Sequence, residues 1–402
     1  MRRAAIVSPV RTPIGRFLGS LAPLPAERLG EAVIRALVDR SGIDPERIDD
    51  VVFAQGYPSG EAPAIGRWAA LAAGLPEHVP GMQLDRRCGG GLQAVASAAA
   101  MVQSGMADVV IAGGAESMSN VEHYTTALRQ GRAMGDGVLH DRLARGRVRS
   151  QPEERHGTIS GMIETAENLA SDYGIGREEC DAYAARSQQR AEAAWAAGAF
   201  DAELVPLEVP QKRGEPLRFD KDEGVRPGTT MESLAKLRPM MADGVCTAGN
   251  SSQQNDAAAA CLVVAEDRLA ELGLDPVAWF TGFAAHGCDP SRMGIGPVGA
   301  VAKLFARTGL GWDDIGLVEL NEAFAAQVIA VVREWGFDWQ GNFGERLNPL
   351  GSGISLGHPI GATGGRILAT MLHEMPRRGA RYALETMCIA GGQGAAAIFE
   401  AA

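Results

Sequence analysis

The sequence predicts an α/β protein whose core is duplicated and carries an inserted segment. Three observations predict it. Short apolar runs rich in Val, Ile and Leu alternate with longer amphipathic or Ala-rich stretches, as expected of strands and helices packed in layers. Two groups of residues recur in the same order in the two ends of the chain. Between them, residues 120–248 differ in composition. At 402 residues the chain suits two or three units, or one large double one.

Residues 4–10 read as a first strand, and 51–54, 109–112, 317–320 and 382–389 as buried strands bounded by Gly or Asp. Residues 27–41, 92–104, 163–173, 177–197 and 365–375 read as helices, with Gly174 and Gly198 as stops. Gly42, Ile48 and Val51 share their spacing with Gly309, Ile315 and Val318. Cys88 opens a Gly-rich turn before a helix and a strand ending in Gly113-Gly114. His358 opens a second such turn before a strand ending in Gly391-Gly392. Both matches in one order point to an internal repeat.

The segment 120–248 reads as an insertion with loops at 129–157 and 206–230 around a helical middle. It concentrates positive charge: Arg142, Arg145, Arg147 and Arg149, then Lys212, Arg213, Arg218 and Arg226. Singly these are solvated surface residues; as a group they form a candidate anion-binding rim. Yet the whole chain carries a net charge of −11, which disfavours nucleic-acid binding. No apolar run approaches the ~18–20 residues of a membrane span, and Arg11 arrives too soon for a signal-peptide core. The C-terminal residues carry no peroxisomal tripeptide. Six cysteines, none in C-x-x-C spacing, speak for a reduced compartment. A cytoplasmic protein is expected. The seven histidines lack metal-ligand spacing, so no metal is expected.

Cys88 stands before three glycines and an Ala-rich helix. The positive end of the helix dipole favours its thiolate, and the glycines leave backbone N–H groups open to a carbonyl oxygen. His358 stands before Pro359, a residue suited to a first helical position, so its imidazole points out of a strand-to-helix turn as a general base must. Cys388 ends a strand before Gly391-Gly392. Asn321-Glu322 follows strand 317–320, where α/β sheets present site residues. Two patterns are decoys. Gly294-Ile-Gly-Pro-Val-Gly299 lacks a preceding strand and an acidic ribose ligand, so it is no dinucleotide site. Gly353-Ile-Ser-Leu-Gly357 lacks the strand a nucleophile elbow needs.

Taken together, Arg11-Thr-Pro-Ile-Gly-Arg-Phe, Cys88-Gly-Gly-Gly-Leu-Gln, Gly113-Gly-Ala-Glu-Ser-Met-Ser, Thr165-Ala-Glu-Asn and Thr247-Ala-Gly-Asn resemble the thiolases. So do Met293-Gly-Ile-Gly-Pro, Asn321-Glu-Ala-Phe, Gly357-His-Pro-Ile-Gly-Ala-Thr-Gly and Cys388-Ile-Ala-Gly-Gly-Gln-Gly. The resemblance runs nearly end to end. It implies two βαβαβαββ halves in five layers, α-β-α-β-α, with an inserted loop domain. The halves are then 1–119 plus 249–274, and 275–402; the insertion, 120–248, binds coenzyme A and makes oligomer contacts.

The resemblance also implies roles. Cys88 is the nucleophile that carries the acyl group. His358 activates it and helps bind the thioester oxygen, Asn321 holds a water there, and Cys388 is the second acid/base. Backbone N–H groups of Cys88 and Ala390 form the other oxyanion hole. Arg226 and Ser252 lie near coenzyme A, and Met162, Met293 and Phe324 wall the acyl pocket. Coenzyme A is a substrate, with no bound cofactor. The partners are acyl-CoA and CoA, without nucleic acid or membrane, and the chain is a homodimer or homotetramer.

Ala390 replaces the family's usual glycine, and Gly161 its usual histidine; residues 250–256 also differ near the pantetheine. Loss of the histidine opens room, which implies a degradative enzyme of fatty acid β-oxidation with substrates longer than acetoacetyl-CoA. A biosynthetic acetoacetyl-CoA thiolase is the alternative. A ketosynthase is disfavoured because it pairs its cysteine with two histidines, or with His and Asn. A non-catalytic acyl-CoA binder would not need Cys88, His358, Asn321 and Cys388 together.

Overall fold

A computed structural model describes residues 2–131 and 134–402. The strands are β1 (Ala4–Arg11), β2 (Asp50–Ala54), β3 (Met82–Leu84), β4 (Val109–Ser117), β5 (Asn255–Ala265), β6 (Ala278–Gly287), β7 (Ile315–Leu320), β8 (Tyr382–Ile389) and β9 (Gln393–Ala401). The helices that matter below are α1 (Ala26–Ser41), α2 (Gly90–Ser104), α3 (Met162–Asp172), α4 (Arg177–Ala196), α5 (Gly296–Thr308), α6 (Ala325–Glu334) and α7 (Thr363–Arg378).

The strands run β7-β8-β9-β6-β1-β5-β4-β2-β3, with Gly15–Arg16 added beside β5. The order is palindromic about the β6–β1 boundary, where two residue pairs, Ala5 with Trp279 and Ile6 with Ala278, join the halves. Leu347 bridges Val318 in parallel, in the place that β3 takes beside β2. Thus β1, β2, β4 and β5 correspond to β6, β7, β8 and β9. The repeat is visible in its stops too. Helices α1 and α5 end on Gly42 and Gly309, both left-handed, with φ of 67° and 73°.

Three apolar clusters define the layers. One holds inward residues of both halves with α2 and α7: Ile6, Val110, Leu92, Leu368, Met387 and Phe399 among them. A second seats α1 on the outer face of the first half. A third seats α5 and α6 on the outer face of the second. Helix, sheet, central helix pair, sheet and helix make the five layers that the family resemblance implied.

Some details depart from expectation. The strand expected at 109–112 continues to Ser117 through its glycines. A Cβ on Gly113 would lie 2.0 Å from the Ala259 carbonyl oxygen, and one on Gly114 would lie 2.1 Å from that of Gly361. These glycines permit close approach inside the sheet instead of ending it. The segment 129–157 is not all loop. It contains a helix at Arg142–Val148, capped by Asp141, whose carboxylate accepts from Leu143 N at 2.8 Å. The segment 206–230 contains a small hairpin of Leu207–Val209 and Leu217–Phe219.

The insertion is tied down by Arg11, which is fully buried. Its guanidinium meets Glu203 at 2.5 Å and Asp222 at 2.8 Å. Such a pair, once buried, is costly to break from one side. No helix among the described residues is long and apolar enough to cross a membrane.

Candidate active site

Cys88 lies in a single 3-10 turn, Arg87–Gly89, that leads into α2. Arg87 adopts φ of 45°, the left-handed region that a non-glycine residue rarely enters. The Asp85 carboxylate accepts from Arg87 N at 2.7 Å and holds that bend. The glycines after Cys88 serve the central layer. A Cβ on Gly91 would lie 2.7 Å from Gly365 N of α7, so bare backbone lets the two central helices touch.

The sulfur is buried, and the backbone N–H groups of Ala390 and of Cys88 itself reach it. Burial pushes the thiol up to about 11, against the pull of those N–H groups and of Arg87. This corrects the expectation of a resting thiolate. Desolvation outweighs the helix terminus and favours the protonated thiol.

His358 supplies a neutral imidazole. Burial, then the charges of Arg366 and Arg147, push it down to about 3. Its Nδ1 lies 2.7 Å from Thr363 Oγ1, and that hydroxyl donates to the Pro359 carbonyl at 2.9 Å. With the single hydroxyl proton so engaged, Thr363 accepts from Nδ1–H, which leaves the Nε2 lone pair for a proton. Asn255 Oδ1 accepts from His358 N at 2.8 Å and fixes the backbone. The turn differs from expectation in one respect: His358 follows no strand. Pro359 is extended, with ψ of 94°, and a 3-10 turn, Ile360–Ala362, precedes α7.

Glu116 joins the Cys88 side to the His358 side. It is fully buried and accepts from Gly56 N at 2.7 Å, Tyr57 N at 3.2 Å and Gly361 N at 2.9 Å. Burial pushes its carboxyl up to about 7. Asn321 approaches His358 Nδ1 to 3.5 Å, and its Oδ1 finds no partner among the described residues. Cys388 is buried, and its thiol stands well above the ordinary range through burial and then through Cys88 and Cys288. The Cys88 and Cys388 thiols are close enough to influence each other, the Ala390 N–H reaches the first, and Asn321 stands beside His358.

Met293 and Phe324 pack in one buried cluster with Cys388, and Met162 closes it from α3. Ser252 lies against the same wall, with its N–H on the Ala323 carbonyl at 2.9 Å. Arg226 is exposed on a loop whose N–H bonds Gln188 at 2.8 Å; Gln253 ties that loop to the Ser252 segment through the Gly224 carbonyl at 3.3 Å. The decoys resolve differently. Ser355 is buried against Ser187 Oγ at 2.9 Å, and the glycines from Gly294 onward shape the 3-10 turn Pro290–Ile295 and the start of α5.

Residues 4–267 match the family model of the thiolase N-terminal domain, and residues 274–401 that of the thiolase C-terminal domain. The chain belongs to the thiolase family. It is an enzyme of the acyltransferase class. This thiolase is 46% identical over 399 residues to an acetyl-CoA acetyltransferase of Chromobacterium violaceum, covering 98% of this chain and 99% of that one. It is 43% identical over 401 residues to that of Cupriavidus necator, covering 100% of both. Two solved structures superpose closely, each at 38% identity and covering 100% of this chain and 99% of the other. They are the acetyl-CoA acetyltransferase of Bacillus anthracis, TM-score 0.94, and human mitochondrial 3-ketoacyl-CoA thiolase, TM-score 0.92.

Sequence reasoning missed Thr363, Asn255 and Glu116. Thr363 stood five residues after His358 in the quoted motif, and Glu116 inside another. Their signal was a polar side chain in an otherwise apolar or Gly-rich run. All six thiols of this thiolase are unpaired, and no group of three or more His, Cys, Asp or Glu among the described residues is arranged to hold a metal.

Proposed function

We infer that this thiolase cleaves 3-ketoacyl-CoA reversibly with coenzyme A, through an acyl group carried on Cys88. The observation that carries this reading is the Cys88 sulfur held by two backbone N–H groups with the buried Cys388 thiol close enough to influence it; burial, which disfavours the charged forms of Cys88 and His358, supports a proton passing between them. His358 Nε2 takes the proton of Cys88 as the sulfur attacks the 3-keto carbon. The oxygen becomes negative facing the N–H groups of Cys88 and Ala390. The Cα–Cβ bond breaks, and the acetyl-CoA enolate leaves near His358 and Asn321 and takes its proton from Cys388. Coenzyme A then gives its thiol proton to the Cys388 thiolate and attacks the acyl carbon. Cys88 departs and recovers its proton from His358. Two half-reactions through one covalent intermediate give ping-pong kinetics. Arg226 and Ser252 hold the coenzyme, with Arg226 supplied by the inserted segment 120–248.

The acyl pocket of Met162, Met293 and Phe324 takes chains longer than acetoacetyl. Support comes from Gly161, where an added Cβ would meet nothing within 4 Å. The names of the relatives favour the four-carbon reading instead. A panel of 3-ketoacyl-CoA esters decides between them. Thiolysis of 3-ketooctanoyl-CoA is expected to match or exceed that of acetoacetyl-CoA, with the matching acyl mass on Cys88. Activity confined to four carbons overturns the longer-chain reading. Fatty acid breakdown in the cytoplasm belongs to the same proposal, in keeping with six free thiols. Exposed Leu128, Val138 and Leu139 support a homodimer or homotetramer. Light scattering is expected to give twice or four times the chain mass; a monomer mass would dismiss it.

A further inference from the structure

We propose that an arginine-lined pocket beside Cys88 receives an anionic group at the far end of the acyl chain, so that this thiolase prefers 3-ketoacyl-CoA esters ending in a carboxylate. This rests on the acyl-transfer reading above. The helix Arg142–Val148 places Arg142 and Arg145 on one face, and Arg149 follows at the same periodicity. The three line a cavity of about 340 Å³ together with Arg87, Tyr57, Tyr124 and one carboxylate, that of Asp85.

The helix is seated over the reacting groups. Tyr57 Oη donates to the Leu143 carbonyl at 3.3 Å, and a Cβ on Gly146 would lie 3.0 Å from the Tyr57 ring. A Cβ on Gly391 would lie 2.8 Å from the Ser150 carbonyl oxygen, so the end of this segment covers the turn after Cys388. Arg87 is the residue before the nucleophile.

The charges in the pocket do not cancel. Arg142 pairs with Glu122 at 3.0 Å, and Arg87 stands 3.8 Å from Asp85. Arg145 lies over the Tyr124 ring, 5.8 Å from its centroid. Neither Arg145 nor Arg149 has a carboxylate within 4.0 Å among the described residues. Two guanidiniums without an ion pair among the described residues, facing one cavity, offer the planar fork that a carboxylate accepts. A methyl terminus gains nothing there and finds its apolar wall at Met293 and Phe324 instead. The other anion on the substrate is the coenzyme's phosphate. However, the segments of Arg226 and Ser252 are not part of this wall.

The test compares 3-ketohexanoyl-CoA with its analogue carrying a carboxylate at the sixth carbon. The wild-type enzyme is expected to favour the carboxylate by about tenfold or more in kcat/KM. In the double variant Arg145→Gln, Arg149→Gln that ratio is expected to fall to about one. Should the double variant fold poorly, Arg149→Glu alone, at an exposed position without an ion pair among the described residues, is expected to lower the ratio as well. Equal or better cleavage of the uncharged ester by the wild type overturns the inference while leaving thiolase activity in place. A ratio that the variants leave unchanged also overturns it. A raised KM for coenzyme A but not for 3′-dephospho-coenzyme A in the variants assigns the pocket to the coenzyme and overturns the carboxylate. If neither ester acylates Cys88, the acyl-transfer reading falls with it.

Discussion

Replacing Cys88 by serine lowers kcat for acetoacetyl-CoA cleavage by about four orders of magnitude or more, as expected when a reaction's covalent carrier is lost. The substitution keeps size and shape in a turn already shaped by Asp85 and Arg87, so the fold should persist. The chemistry does not. Burial holds even the thiol near 11, and a hydroxyl at the same place holds its proton far more tightly than His358 can overcome. Exchange between two thioesters is nearly isoenergetic, whereas an oxygen ester would trap the acyl group. The decrease of the magnesium-enolate absorbance of acetoacetyl-CoA measures the rate, and intact mass measures the adduct. Activity within about tenfold of the wild type would show that another group carries the acyl chain.

Replacing His358 by asparagine should lower kcat by about a thousandfold, within the range of a lost general base. The pH profile distinguishes this role from a structural one. His358 is depressed from its ordinary 6.5 to about 3 by burial, Arg366 and Arg147. It therefore stays an acceptor at every pH from 5 upward, and kcat/KM should show no acid limb at the ordinary histidine value. An inflection near 6.5 that vanishes in His358→Asn would refute the assignment. Stability follows the same sign. The unfolded chain binds a proton near 6.5, while the native site resists until about 3. The contribution is whole above 6.5 and drains away as pH falls towards 3. Thermal melts across that interval should fall less steeply for His358→Asn than for the wild type.

Much of the arrangement was legible because it was written in local contrasts. Cys88 before glycines, His358 before Pro359 and Cys388 at a strand end each break an apolar pattern, and all three side chains are buried in the structure. The strand at Asn255–Ala265 was not legible. Its four consecutive alanines favour a helix in isolation. They serve a strand here because every residue of it is buried, between α1 on one side and α2 and α7 on the other, where small side chains let the layers close. The protonation of Cys88 was misjudged for a related reason. A helix terminus is visible in sequence; the depth at which it is buried is not. Thr363 and Asn255 act through three-dimensional neighbours that their spacing does not reveal.

The correspondence between halves assigns counterparts to the reacting groups. Val51 stands opposite Ile111, and Val318 stands opposite Leu384. Four residues further along those strands are Ala115 and Cys388. The Gly-rich turn that carries sulfur in one half carries imidazole in the other. Neither half alone owns a complete set of reactive groups. On the proposed mechanism, catalysis depends on two copies of one architecture having specialised unequally, one to hold the cargo and the other to shuttle protons.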